Sequence, residues 1–200
     1  PGLVFGLAVL VEYMSVKKFD YKRFDRSLLW FLLVPLGIAT YAVFLNNRFA
    51  DPLFFLRAYN YGWGYQKFNP NIFATVYGQI SWLITRILFG NTQPNVGNNG
   101  IVMSAVFLLS WLALAGSVVW AIYKKYPLSF IVLMAVSAVL FSLNSNLISV
   151  NRYILPMFPM YLLLAQYFAE KKSALALYAA SSAIAMTLLL VLFSAGRWTG

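Results

Sequence analysis

The sequence predicts an all-α polytopic membrane protein: about five full transmembrane helices and a truncated N-terminal one, with amphipathic interfacial helices in a long non-cytoplasmic loop. Three observations carry this. Of 200 residues, 62% are hydrophobic and only 10% are charged, against about 45–50% apolar and about 25% charged in soluble domains. Mean hydropathy is +0.73, which leaves too little polar surface to cover a water-facing core. The basic residues fall in short clusters between apolar runs, and the aromatics lie within those runs. That is the positive-inside pattern of a membrane chain, not the basic face of a nucleic-acid binder. The net charge of +10 therefore points to membrane lipids as partners and away from nucleic acid.

The elements follow in order. Pro1 to Met14 is apolar but short of the ~20 residues a span needs, and it lacks the charged start of a signal peptide. It reads as the tail of a span, so the chain is expected to be the C-terminal part of a longer protein, a single transmembrane domain over residues 1–200. Ser27–Leu45, Asn99–Tyr123, Pro127–Leu143, Tyr153–Phe168 and Ser173–Ala195 read as spans. Asn71–Phe89 is ambiguous. Its apolar residues recur at spacings of three and four, with Thr75, Gln79 and Arg86 on the other side, which fits a helix lying in the interface.

Charge arbitrates between the two placements of that segment. If it lies on the surface, Lys17, Lys18, Lys22, Arg23, Arg26, Lys124, Lys125, Lys171 and Lys172 share one side, nine against the six of the other. If it spans, the sides carry seven each and Arg86 is left in the bilayer. Only the first arrangement shows a positive-inside bias. Residues 46–98 are then a structured extracytoplasmic loop, joined on that side by residues 144–152. Within it, Asp51-Pro52 reads as an N-cap followed by proline, Leu53–Tyr61 as a short aromatic helix, and Asn69-Pro70-Asn71 as the opening of the next one.

The chain has no Cys and no His, which removes disulfides, thiol nucleophiles, imidazole relays and histidine metal sites. The acidic residues are Glu12, Asp20, Asp25, Asp51 and Glu170. Asp51 alone falls on the outer side. A cap is the commoner use of an Asp-Pro pair, and one carboxylate does not make a metal site. No metal and no cofactor is expected. Arg57 and Trp63 read either as a phosphate-pairing and a sugar-stacking residue or as a snorkelling arginine and a belt tryptophan. Arg152, with Tyr153 beside it, has the same two readings: a guanidinium for a lipid phosphate, or an interfacial anchor. Glu12 reads as an interfacial residue near Lys17 and Lys18. The spans hold no charge away from their ends, which disfavours an ion-coupled transporter.

Two of these stretches carry a family resemblance. Arg48-Phe49-Ala50-Asp51-Pro52-Leu53-Phe54-Phe55-Leu56-Arg57-Ala58, closing on Trp63, resembles the outer-loop motif of bacterial PIG-V-like mannosyltransferases. Asn151-Arg152-Tyr153-Ile154-Leu155-Pro156-Met157-Phe158-Pro159 resembles their Arg-Tyr…Pro…Phe-Pro signature. The opening Pro1-Gly2-Leu3 with Glu12-Tyr13, and the closing Gly196-Arg197-Trp198, are similar to the family as well. The resemblance implies a GT-C-type glycosyltransferase that moves a hexose, commonly mannose, from a polyprenyl- or dolichyl-phosphate donor to a lipid or glycan acceptor on the non-cytoplasmic face. It implies donor-phosphate binding by Arg152 and Tyr153, a substrate groove shaped by Arg57 and Trp63, and a loop ordered by Asp51 and Pro52. The catalytic carboxylate is expected upstream of Pro1, in the missing N-terminal half, so this stretch alone is expected to be inactive. A bacterial inner-membrane location follows from the same resemblance. The alternative is a non-enzymatic lipid carrier or flippase-type protein with similar spans.

Overall fold

A computed structural model describes residues 2–55, 57, 68–89, 99–169 and 171–196. The described residues form an all-α membrane protein. Its helices are α1 (Gly2–Val16), α2 (Leu33–Phe49), α3 (Ile72–Phe89), α4 (Asn99–Tyr123), α5 (Leu128–Ser142), α6 (Val150–Tyr153), α7 (Phe158–Ala169) and α8 (Lys172–Ser194). A tight 3₁₀ stretch, Arg26–Leu32, runs directly into α2. Four helical stretches are long and apolar enough to cross a membrane: Arg26–Phe49, Ile72–Phe89, Gly100–Tyr123 and Lys172–Ser194.

The core is built where α1, α4 and α5 meet. Met103, Phe107, Leu114 and Ala121 form a buried stripe along α4, at the four- and seven-residue spacings of one helical face. They pack with Val4 and Ala8 of α1 and with Leu133, Met134 and Ala138 of α5. Small residues let these helices approach closely. Polar ties lie inside: the Trp111 indole N–H donates to Ser142 Oγ (2.7 Å) and to the Ala138 carbonyl (3.2 Å). The outside is the reverse. No residue of α8 is buried, and Leu177, Ile184, Met186, Leu190 and Phe193 are all exposed. Buried hydroxyls beneath a continuous apolar surface are what a lipid solvent selects.

Three expectations gain detail that the sequence did not carry. The first concerns α3, expected as an amphipathic helix in the interface: it is also long and apolar enough to cross a membrane. Thr75 is 2% exposed and the Gln79 side chain donates to the Ser104 carbonyl (3.3 Å), while Phe73, Tyr77, Ile84, Ile87 and Leu88 face outward. Most of the apolar stripe is the outer surface, and Thr75, Gln79 and the buried Leu83 face the rest of the chain. The second is the span over residues 153–168. It is broken into α6, a turn and the 12-residue α7, only ~18 Å long at 1.5 Å per residue and short of the ~30 Å hydrocarbon core. The prolines explain the break. Pro156 disfavours helix at Leu155, and Pro159 sits in the first turn of α7, where its missing N–H is harmless. The third is Glu12, whose carboxylate accepts from Ser129 Oγ of α5 rather than pairing with Lys17 or Lys18.

Lys17 pairs instead with Asp25. That carboxylate gathers Lys17 Nζ (2.7 Å), the Tyr13 hydroxyl (3.3 Å), and the backbone N–H (2.9 Å) and hydroxyl of Ser27. It thereby ties the end of α1 to the start of the next helical stretch. The Lys17 ammonium and the Ser27 donors hold the Asp25 carboxyl well below the usual carboxylate range, and the same pair raises Lys17.

Two predictions follow from this packing. A Cβ on Gly6 would lie 2.6 Å from Val34 Cγ1, so Gly6→Ala is expected to cost ~1–3 kcal/mol by overpacking. The double variant with Val34→Ala should recover most of that loss in thermal unfolding; no recovery would place the strain elsewhere. Because the Asp25 pKa is depressed on folding, its stabilisation is present above the unfolded carboxylate range and lost only as pH falls through the folded value. Its carboxyl carbon shift should therefore still report the ionised form at about pH 4, the ordinary aspartate midpoint. A midpoint at that ordinary value would contradict the assignment.

Candidate functional site

The polar end of the bundle is assembled from two segments far apart in sequence. Asn71 opens α3 by accepting the Ala74 N–H on its side-chain oxygen (3.0 Å), and Asn69 accepts the Asn71 N–H in the same way (3.0 Å). This Asn-Pro-Asn turn presents its backbone to the segment after α5. The Asn69 N–H donates to the Leu143 carbonyl (2.7 Å), and Phe68 bridges to Asn144. Buried Thr75 closes the junction: its hydroxyl donates to the Asn144 carbonyl (2.6 Å) and accepts from the Asn69 side-chain amide (3.2 Å).

The chain then runs to α6 through residues held in the core. Leu147, Val150, Ile154 and Met157 are all buried. Between them Ser149 adopts a left-handed backbone (φ +65°), and its side chain is buried. Arg152 lies one turn on. Its Nη2 donates to Ser149 Oγ (2.8 Å), and the residue is otherwise exposed. Among the described residues no carboxylate pairs with it. Tyr153 is half-exposed and stacks on Phe141 at 5.6 Å between centroids. The Asn151 side-chain oxygen is buried with no hydrogen-bond partner. The result is a cation on a fixed turn, with its guanidinium open to solvent or lipid headgroups.

The second predicted group stands apart. α2 ends at Ala50 (φ +54°), whose N–H donates to the Asn46 carbonyl (2.8 Å). Asp51 Oδ1 accepts the Leu53 N–H across Pro52 (3.0 Å), and Oδ2 lies 3.1 Å from Arg57 Nε. Phe49 stacks on Phe54 at 4.3 Å. Arg57 thus has an anionic partner and Arg152 does not. Trp63 lies outside the described residues. Among the described residues no hydrogen bond or ion pair joins the Asp51–Arg57 pair to Arg152 or Tyr153. No three His, Cys, Asp or Glu side chains gather among the described residues to hold a metal ion.

Sequence reasoning singles out Arg152 and Tyr153, names Asn69 and Thr75 only as a helix-opening and a polar-face residue, and does not name Asn144 or Ser149. A signal was available. Ser142, Asn144, Ser145, Asn146, Ser149 and Asn151 crowd a short stretch of a chain that is otherwise mostly apolar. Comparison with known proteins finds no matching family model, no matching curated protein and no matching solved structure.

The junction yields a stability test. Thr75→Val keeps the shape but removes the hydroxyl's bonds to the Asn144 carbonyl and the Asn69 side-chain amide, at a cost of about 1–3 kcal/mol. Thr75→Ser should retain most of the stability. Faster amide hydrogen exchange at Asn69 in Thr75→Val, and not in Thr75→Ser, is the expected readout; equal exchange in the two would contradict the role of the hydroxyl.

Proposed function

We propose that the chain forms part of a multi-pass membrane glycosyltransferase of the PIG-V-like, GT-C type, with Arg152 binding the phosphate of a polyprenyl-phosphate sugar donor on the non-cytoplasmic face. The observation that carries this reading is the state of Arg152. The residue is exposed, its guanidinium hydrogen-bonds the Ser149 hydroxyl and pairs with no carboxylate among the described residues, and it rides on a turn whose neighbours are buried. A planar guanidinium matches phosphate oxygens in two-pronged fashion. As the sugar leaves, negative charge grows on the lipid phosphate, and a cation fixed beforehand stabilises that charge without reorganising. Tyr153, one face on Phe141, offers its exposed edge to the prenyl chain or the sugar.

The acceptor hydroxyl needs a base. Asp51, the carboxylate nearest in sequence to the polar end, already accepts the Leu53 N–H and pairs with Arg57. In this reading it orders the loop after α2 and is not the base. In this reading Arg57 and Trp63 border the acceptor or donor groove, the sugar is a hexose, most simply mannose, and the membrane is the bacterial inner membrane.

The test is transfer of radiolabelled mannose from polyprenyl-phosphate mannose in membranes carrying the full-length protein. Arg152→Ala should lower the rate by about a hundredfold or more, the usual effect of removing a transition-state charge partner, with membrane insertion unchanged. Arg152→Lys should retain part of the rate. A transfer rate unchanged in Arg152→Ala would overturn the donor-phosphate assignment.

A further inference from the structure

The opposite end of the bundle carries a second cationic arrangement, independent of Arg152. We propose that it binds the headgroup phosphate of an anionic phospholipid, with the acyl chains running down the apolar flank of α7. Two neighbouring clefts of about 750 and 650 Å³ share Lys124, Gln166 and Ala169 as a common wall. Lys171 joins the first and Lys125 the second. Three lysines thus line the clefts, two from the turn after α4 and one from the residue that precedes α8. No ion pair neutralises them among the described residues, where the acidic side chains other than Glu12 pair with Lys17, Arg23 and Arg57. Glu12 is bonded to Ser129.

Three further features favour a lipid phosphate over a soluble anion. Trp120 and Tyr167 line the first cleft and meet edge to face at 5.7 Å, the amphipathic ring pair expected at headgroup depth. Lys171 Nζ sits 4.1 Å from the centroid of the Tyr167 ring, so its charge is held over the cleft wall rather than free in water. Below the lysines the walls turn apolar, with Leu163 in one cleft and Leu162 and Ala165 in the other, and α8 alongside has no buried residue. The second cleft also contains Tyr126, whose hydroxyl is buried without a hydrogen-bond partner. A basic pocket between helices at the membrane boundary is suited to an anionic headgroup.

The test is native mass spectrometry of the delipidated chain in detergent, titrated with phosphatidylglycerol, phosphatidylcholine or glycerol 3-phosphate. Phosphatidylglycerol should bind, and the Lys124→Gln/Lys171→Gln pair should weaken it about thirtyfold, from two lysines at the usual gain per basic residue near a lipid surface. The Lys124→Arg/Lys171→Arg pair should keep the binding, which separates lost charge from lost fold. Lys18→Gln/Lys22→Gln, neither of which lines the clefts, should leave it unchanged. Equal binding of phosphatidylcholine, equal binding of glycerol 3-phosphate, or an equal loss in the remote pair would each overturn the proposal.

Discussion

The whole arrangement depends on one constraint: the outer surface faces an apolar solvent, so polar groups must find partners inside. In water the exposed leucines, isoleucines and phenylalanines of α8 and α3 would be an aggregating surface; against lipid they are neutral, and the buried hydroxyls are what need attention. Several answer the need locally or across helices. Ser117 and Ser142 bond back to carbonyls one turn earlier, at 2.7 and 2.8 Å. Trp111 reaches Ser142 from the neighbouring helix, and Thr75 reaches the segment after α5. Such bonds also fix register, since sliding a helix by one residue would strand a donor in hydrocarbon.

The same constraint sorts charge to the two ends. Lysines gather where α4 stops and α8 starts, and the asparagines, serines and Arg152 gather at the other end of the α4–α5 hairpin. The ends differ in chemistry as well as position. The lysine end offers several point charges above apolar walls. The asparagine end offers one guanidinium on a rigid turn, within a net of amide and hydroxyl bonds. A rigid planar cation suits a single phosphate whose charge changes during a reaction, and a cluster of ammonium charges suits a resident headgroup.

Much of this was legible in the sequence, and the failures share a cause. α4 spans Asn99–Tyr123, the segment bounded from hydropathy alone, because a long apolar run between polar stretches has one reading. The apolar stripe of α3 was equally legible, but periodicity gives the stripe and not its neighbour: in lipid Thr75 and Gln79 turn inward. The interrupted helix after residue 150 followed from Pro156 and Pro159, whose local stiffness outweighed an apolar composition that suggested a continuous span. The Thr75–Asn144 and Glu12–Ser129 bonds join residues 69 and 117 positions apart; no local pattern announces such pairs.

The two-ended arrangement has one direct test, and the absence of cysteine makes it clean. Single cysteines at position 152 and at position 124 are challenged in intact cells with a membrane-impermeant maleimide. Labelling at position 152 alone, with position 124 labelled only after the membrane is opened, is the expected result. Labelling of both positions from the same side would contradict a bundle whose asparagine and lysine ends lie on opposite faces of the membrane.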